Sequence, residues 1–432
     1  MQLRRRLTGA LLALGLLGGS FTPTAHALPL APAPAHAVAP LVLPAASGVD
    51  SSRVASRLAG VSKKTLDSTA WAVYTTGGKK VVAKDTAMIP ASTTKILTAM
   101  AALDILGADR TFTTKVVSAK KGRLTLVGGG DPYLVSAKSS VPAKKANLNA
   151  LVSATAKALA KDKVKSVRLT YSAPLFSGTS YSAAWKQSWA SYTPRIMSLT
   201  VNGGMAGSSA YSNPARSTAT MFASKLRAKG FKVTFDGAAS SPKGAKTVAK
   251  VVSAPLGVQV RRMLRYSDNV AAENYARLIA RATGHSPSFA GGSAAITAWL
   301  KQKKLWESGM RIDGGSGLSS NSKVRPSVLA RAVALALKDA TYRDVKVGLP
   351  VAGVNGTLKH RFNDPSEKAG RKVVHAKTGS LKKVNALAGY LTTADGTVLT
   401  FAFGATHDGR RSTAAGNWLD RSAASLVTCA CG

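Results

Sequence analysis

Ser92 and Lys95 stand three residues apart at the head of an apolar run, IPASTTKILTAMAALDIL (89–106). On a helix, positions i and i+3 are surface neighbours, so the amine falls beside the hydroxyl. A neutral amine there can take the hydroxyl proton and create a nucleophile. Burial and nearby positive charge both push a lysine towards neutrality. The helix N-terminus adds partial positive charge, and its free N–H groups can hold a developing oxyanion. By itself, S-x-x-K also fits a Ser/Thr cap followed by a snorkelling lysine.

Two further clusters carry complementary groups. Ser267-Asp268-Asn269 lies at a break between helical runs. Ser and Asn are good N-caps for a helix beginning at Val270. Equally, the hydroxyl could relay a proton from the lysine to a leaving amine, while the amide fixes the lysine and a substrate carbonyl. Lys377-Thr378-Gly379 ends the strand VVHAKTG. A charged strand end with a glycine bulge accounts for it, as does recognition of a carboxylate. Gly379, with no side chain, would let an extended peptide lie alongside as an added strand. The N–H of Ser380 could complete an oxyanion hole.

In this order, S-x-x-K, S-D-N and K-T-G form the signature set of serine β-lactamases and penicillin-binding proteins. From about residue 50 to the final helix, the chain resembles the D-alanyl-D-alanine carboxypeptidase/endopeptidase family, the low-molecular-mass class C penicillin-binding proteins. LTLVGGGDPYL (124–134), SLTVNGG (198–204), DGGSGLS (313–319) and LPVAGVNGTLKHRF (349–362) look like family blocks. The gap of 175 positions between Ser92 and Ser267 suits a family that inserts domains there, and disfavours class A β-lactamases. DGGSGLS carries one Gly more than the family pattern, Asn355 stands where Asp is more frequent, and the insertion is shorter than in the fullest members.

The resemblance implies a serine-type D-Ala-D-Ala carboxypeptidase acting on peptidoglycan stem peptides, with DD-endopeptidase action left open. Ser92 would attack the carbonyl between two D-alanines with Lys95 as general base. Ser267 and Asn269 would help pass the proton to the departing D-Ala. Lys377 and Thr378 would bind the terminal carboxylate, with Gly379 and Ser380 completing the substrate-binding set. Water would then hydrolyse the acyl-enzyme, and β-lactam antibiotics would enter by the same route and stall. No cofactor and no metal are expected. The implied fold is α+β, of the penicillin-binding-protein/serine β-lactamase-like transpeptidase type: an antiparallel sheet with helices on both faces, plus a β-rich inserted module.

The elements that must position these residues follow from the pattern. WAVYTTGGKKVVAKD (71–85) predicts two strands around a Gly77-Gly78 turn. A helix from Ser92 to Gly107 buries Ile96, Met100 and Leu103, with Leu97 and Leu106 widening the face. Residues 113–212 change texture to Ser, Thr, Gly and Lys with short apolar runs, and predict the inserted module. Helical periodicity returns at 221–231, 255–265, 270–282 and 326–337, followed by three strands, VVHAKTG, NALAGYLTT and GTVLTFAFGA, and a last helix with Trp418, Leu419 and Leu426. The hairpin near residue 75 should complete the C-terminal sheet. Residues 49–112 and 213–432 then form one transpeptidase-like domain interrupted by 113–212.

The remaining composition bears on location and partners. Arg4-Arg5-Arg6, the apolar stretch Leu7–Leu17 and Ala25-His26-Ala27 predict a signal peptide over 1–27. That stretch is too short to span a bilayer, which needs about 20 residues. Residues 28–48, rich in Pro and Ala, predict an extended linker. The mature protein is therefore expected to be secreted, in the periplasm or cell wall, with no integral membrane segment. Sixty Lys and Arg face 19 Asp and Glu, a net +41; losing 1–27 removes three arginines and no acid, leaving +38. Such a charge attracts polyanions. An export signal argues against nucleic acid, so anionic cell-wall polymers are the expected partner. Cys429 and Cys431, the only cysteines, could oxidise together outside the cytoplasm, or could belong to a frayed tail.

Other chemistries lack their residues. No G-x-S-x-G elbow supports a Ser-His-Asp hydrolase, and no H-E-x-x-H or C-x-x-C is present. VGGGDP lacks the G-K-[ST] of a phosphate loop. Two alternatives remain from the sequence: a secreted serine β-lactamase, and a non-catalytic cationic wall-binding protein.

Overall fold

The computed structural model describes residues 48–190 and 193–432. The expected signal peptide, 1–27, and nearly all of the 28–48 linker lie outside them. The described chain opens with α1 (Ser51–Ala59), the hairpin β1 (Ser68–Thr75) and β2 (Lys80–Lys84), and α2 (Thr94–Leu106). A second set follows: β3 (Thr113–Lys120), β4 (Arg123–Val127), α3 (Leu148–Lys161), β5 (Ser166–Ser172), a two-residue ladder of β6 (Met205–Ala206) and β7 (Ser209–Ala210), α4 (Pro214–Arg227), β8 (Lys232–Ala238) and β9 (Lys246–Val252). The chain then forms α5 (Leu256–Tyr266), α6 (Asn269–Ala282), α7 (Phe289–Gln302), α8 (Pro326–Lys338) and α9 (Arg343–Gly348). It ends with β10 (His375–Leu381), β11 (Val384–Thr392), β12 (Val398–Thr406) and α10 (Ser412–Val427).

The main sheet has the order β10-β11-β12-β1-β2 and is antiparallel throughout, so the N-terminal hairpin does complete the C-terminal meander. Its faces differ because side chains alternate along each strand. Ala386, Ala388 and Ala402 point to one face, where α2, α5, α6, α7 and α8 pack. Leu387, Leu391, Phe401 and Phe403 point to the other, beneath α1 and α10. Small residues let the helices on the first face approach closely; large ones fill the second. Ten residues of α2, Thr94 to Leu103, are buried, as expected of a helix packed on all sides. Among the described residues, no helix is long and apolar enough to cross a membrane.

The inserted sheet has the order β8-β5-β4-β3-β9. It extends past residue 212, where the sequence texture had suggested an end. β9 pairs antiparallel with β3, and β8 pairs parallel with β5, so the segment 232–252 supplies both edges of this sheet. Helix α4 buries Ala219, Phe222 and Leu226 against the same sheet. The strands expected here are therefore joined by two helices, and the unit runs from 113 to 252. Its ends meet in a clasp: Ser253 N donates to Phe112 O at 2.9 Å, and Phe112 N to Ser253 Oγ at 2.9 Å. Leu256 N to Arg110 O and Gly257 N to Ala108 O, both 2.8 Å, extend it.

The C-terminal tail is held rather than frayed. Cys429 and Cys431 form a disulfide and are buried in the cluster beneath α1 and α10. Asp50 N donates to Cys431 O at 2.7 Å, and Gly432 N to Asp395 Oδ2 at 2.6 Å.

Phe222 tests the boundary. Replacing a buried Phe by Ala costs about 3–5 kcal/mol. Phe222→Ala should lower stability by that order. Hydrogen exchange should rise first throughout 113–252, including β8 and β9. If 232–252 instead kept full protection while 113–172 opened, the two segments would not be one unit.

Candidate active site

The loop before α2 is strained in a way that aims Ser92. Pro90 and Ala91 lead into a 3₁₀ turn, Ala91–Thr93, so the α-helix proper begins at Thr94 rather than Ser92. Ala91 has φ +45°, a left-handed conformation that costs an alanine about 1–2 kcal/mol. Two glycines clamp it. A Cβ on Gly317 would stand 1.8 Å from Ala91 O, and one on Gly379 would stand 2.7 Å from Pro90 O and 3.1 Å from Ser92 N. Both the 313–317 loop and strand β10 thus press backbone against the turn, which no larger residue would allow.

Lys95 lies fully buried one turn further on. Its Nζ is 2.8 Å from Ser92 Oγ, 2.6 Å from Asn269 Oδ1 and 2.7 Å from Ser316 O. Nζ donates in all three contacts, and loss of one of its protons would leave a lone pair able to take the Ser92 hydroxyl proton. Burial depresses the lysine to about 7, opposed by the negative charges of Glu273 and Asp268.

The S-D-N break is built by Ser267, which ends α5 in a left-handed conformation at φ +57°. Asp268 caps α6 by accepting from Ala271 N at 3.0 Å. The cap is therefore Asp268, rather than the Ser or Asn the sequence also suggested. That leaves Asn269, the first residue of α6, pointing at Lys95. Ser267 is not among the groups bonded to the amine.

Sequence reasoning missed Glu273. It lies one turn after Asn269 on the same face of α6 and is almost fully buried. Its Oε1 accepts from Ser316 N at 2.8 Å and its Oε2 from Gly315 N at 3.1 Å. Thr98 Oγ1 donates to Gly315 O at 2.7 Å from α2. Glu273 thus holds the loop whose carbonyl receives Lys95, and its negative charge supports the protonated amine more than that of Asp268. The signal was present: one acid, four residues after Asn269, in an Ala-rich helix.

Strand β10 is the free edge of the main sheet and brings the K-T-G-S residues to the turn. Lys377 is fully buried; its Nζ donates to Thr378 O at 2.8 Å. Burial, and next the Lys95 charge, hold it well below the usual lysine range. Gly379 shares that face. Thr378 and Ser380 alternate to the other face, where they line a cavity of about 520 Å³ with Thr357, His360 and Glu367. Thr378 Oγ1 donates to Thr357 Oγ1 at 2.8 Å. The structure therefore gathers Ser92, Lys95, Asn269, Lys377 and Gly379, leaves Ser267 half-buried with no bond to the amine, and turns Thr378 and Ser380 to the far side of the strand. Among the described residues, no group of three or more His, Cys, Asp or Glu could hold a metal ion.

Comparison with known proteins bears on this arrangement. The profile of the D-Ala-D-Ala carboxypeptidase 3 (S13) family matches residues 61–213 and 206–426. Carboxypeptidase DacB of Mycolicibacterium smegmatis is 32% identical over 358 residues, covering 80% of this chain and 76% of its own. A carboxypeptidase of Mycobacterium tuberculosis is 32% identical over 368 residues, covering 80% and 77%. The crystal structure of penicillin binding protein 4 (dacB) from Haemophilus influenzae superposes with a TM-score of 0.70, spanning 85% of this chain and 97% of that one at 19% identity, which bears on the fold. With the three motifs in order around one buried amine, these matches make the chain a member of the D-Ala-D-Ala carboxypeptidase 3 (S13) family.

Proposed function

We propose that this serine DD-peptidase cleaves the terminal D-Ala-D-Ala bond of peptidoglycan stem peptides with Ser92 as nucleophile and Lys95 as general base. The observation that carries the reading is the Lys95 amine, buried and seated between Ser92 Oγ, Asn269 Oδ1 and Ser316 O. Ser92 Oγ attacks the peptide carbonyl as its proton passes to Lys95 Nζ. Backbone N–H groups, those of Ser92 and Ser380 in this reading, hold the oxyanion. The C–N bond then breaks, and the proton reaches the departing amine through Ser267. Water attacks the resulting ester with Lys95 again as base. Lys377 takes the substrate carboxylate: a buried, uncompensated amine gains most from an arriving anion. Thr378 supports that strand through Thr357 more directly than it faces Lys377. A β-lactam follows the same path to a long-lived Ser92 ester.

The export signal over 1–27 supports work outside the cytoplasm. The excess of basic residues supports retention on anionic wall polymers, as a matter of long-range attraction and not of chemistry at the site.

Intact-mass measurement after penicillin treatment should show one adduct per chain, mapping to Ser92. Ser92→Ala should abolish it while keeping the melting temperature. A full-yield adduct on that variant would refute the assignment. Lys95→Ala should slow acylation by about 10²–10⁴-fold, the usual worth of a positioned base.

The pH profile gives a second test. Lys95 must be neutral to accept a proton, so acylation should rise with pH through about 7 and level off above it. Glu273 raises the lysine's affinity for its proton, so Glu273→Gln should move that rising limb to lower pH. A shift to higher pH, or none, would contradict the electrostatic role.

Wall retention supplies a third. The Debye length falls from about 30 Å at 0.01 M salt to about 3 Å at 1 M. Binding to isolated walls should weaken steeply over that range, and more than hydrolysis of a short soluble peptide. Retention unchanged by salt, or by stripping the walls of anionic polymer, would dismiss electrostatic anchoring.

A further inference from the structure

A second cationic site adjoins the S-D-N break. Helix α5 runs directly into Ser267, and its last turns carry Arg261, Arg262, Arg265 and Tyr266. They line a groove of about 350 Å³ whose other walls include Pro142 of the insertion and Val347 of α9. The three arginines differ in what occupies them. Arg261 pairs with Asp344 at 3.3 Å, and Arg265 Nη2 donates to Val347 O at 2.5 Å. Arg262 has no hydrogen bond or ion pair among the described residues, and its Nε is buried without a partner. Its guanidinium lies over two rings, 4.7 Å from the Tyr266 centroid and 5.8 Å from that of Tyr133. Asp268, the closest acid in sequence, is committed to capping α6.

Stacking of this kind holds a guanidinium in place while leaving its N–H edge available, and that planar fork matches a carboxylate in two parallel bonds. The buried Nε leaves one donor of this guanidinium unmatched within the protein. Tyr266, at 58% exposure, leaves the groove open to solvent.

We infer that this groove is an anion subsite on the leaving side of the active site, taking a carboxylate of the departing peptide. The inference rests on the reading above, in which Ser267 passes the proton to the departing amine, so that the departing chain leaves past Tyr266. A single D-Ala ends at the carboxylate read by Lys377 and cannot reach a second cation. The groove therefore serves substrates whose departing part is longer and carries a further carboxylate: cross-linked stem peptides, cut as an endopeptidase would cut them. A groove this size admits a few side chains and one bidentate anion, which favours a peptide over a phosphodiester polymer.

The full chain should be assayed on two synthetic peptides that share the acyl half. Their departing halves are several residues long and end in either a free carboxylate or an amide. Wild-type protein should prefer the carboxylate by about ten- to a hundred-fold in kcat/KM, the usual worth of a charged hydrogen-bonded pair. Arg262→Gln should bring the ratio close to one. Arg262→Lys, which keeps the charge but loses the fork, should retain part of it. Melting curves check that both variants are folded. A wild type without preference, or an Arg262→Gln variant that keeps it, overturns the proposal. So does a variant that keeps the preference but loses retention on walls bearing anionic polymer, since the groove would then serve the polymer. Failure of the underlying reading is distinguishable: wild-type protein would take up no penicillin at Ser92, whatever its peptide preference.

Discussion

Burying the Lys95 amine is the constraint that organises this molecule. An ammonium removed from water pays several kcal/mol unless compensated, and this one is compensated only in part. Asn269, Ser316 and the more distant charges of Glu273 and Asp268 hold it at about 7, where a small change of surroundings decides its state. Each contact comes from a different stretch of chain. Ser92 sits in the 3₁₀ turn that leads into α2, Lys95 in the first turn of α2, Asn269 and Glu273 on α6, and Ser316 on the 313–317 loop. Helix α2 can be buried on every side because α5, α6, α7 and α8 surround it, and the amine inherits that burial.

A second buried amine, Lys377, stands within electrostatic reach of the first. Burial, and after it the charge of Lys95, opposes a proton on Lys377. In the reading proposed above, a substrate carboxylate would change that balance by giving Lys377 a counter-ion. On that reading, binding of a carboxylate at Lys377 and the charge of Lys95 are linked through one short stretch of protein interior. The glycines at 317 and 379 make the linkage possible, since any Cβ there would drive backbone away from Ala91 and Ser92.

What was legible in the sequence was whatever lay close together along it. Ser92 and Lys95 could be paired from their spacing, and the S-D-N and K-T-G clusters could each be recognised locally. The strand alternation of β11 and β12 and the solid apolar stretch of α2 were likewise readable as elements. What escaped depends on contacts between distant segments. Glu273 looked like an ordinary helical acid until its carboxylate met the N–H groups of Gly315 and Ser316. Arg262 was one cation among sixty until the two tyrosine rings singled it out. The end of the insertion was hidden because β8 and β9 are short strands with almost no fully buried residue, and what assigns them to the insertion is which partners they pair with. Thr378 seemed a partner of Lys377 because they are neighbours in sequence, and strand alternation separates them.

The clasp at Phe112 and Ser253 has a consequence for how the chain acquires its structure. Bringing α2 and α5 together across an open segment of 113–252 would carry the entropy of closing a long loop. Once that segment has folded on its own core, its two ends already lie within hydrogen-bond distance. The interruption is then no longer than a tight turn, and α5 is delivered beside α2 at almost no further cost. An order of events in which the insertion condenses first turns the contact of Lys95 with Asn269, 174 positions apart in the chain, into an almost local one.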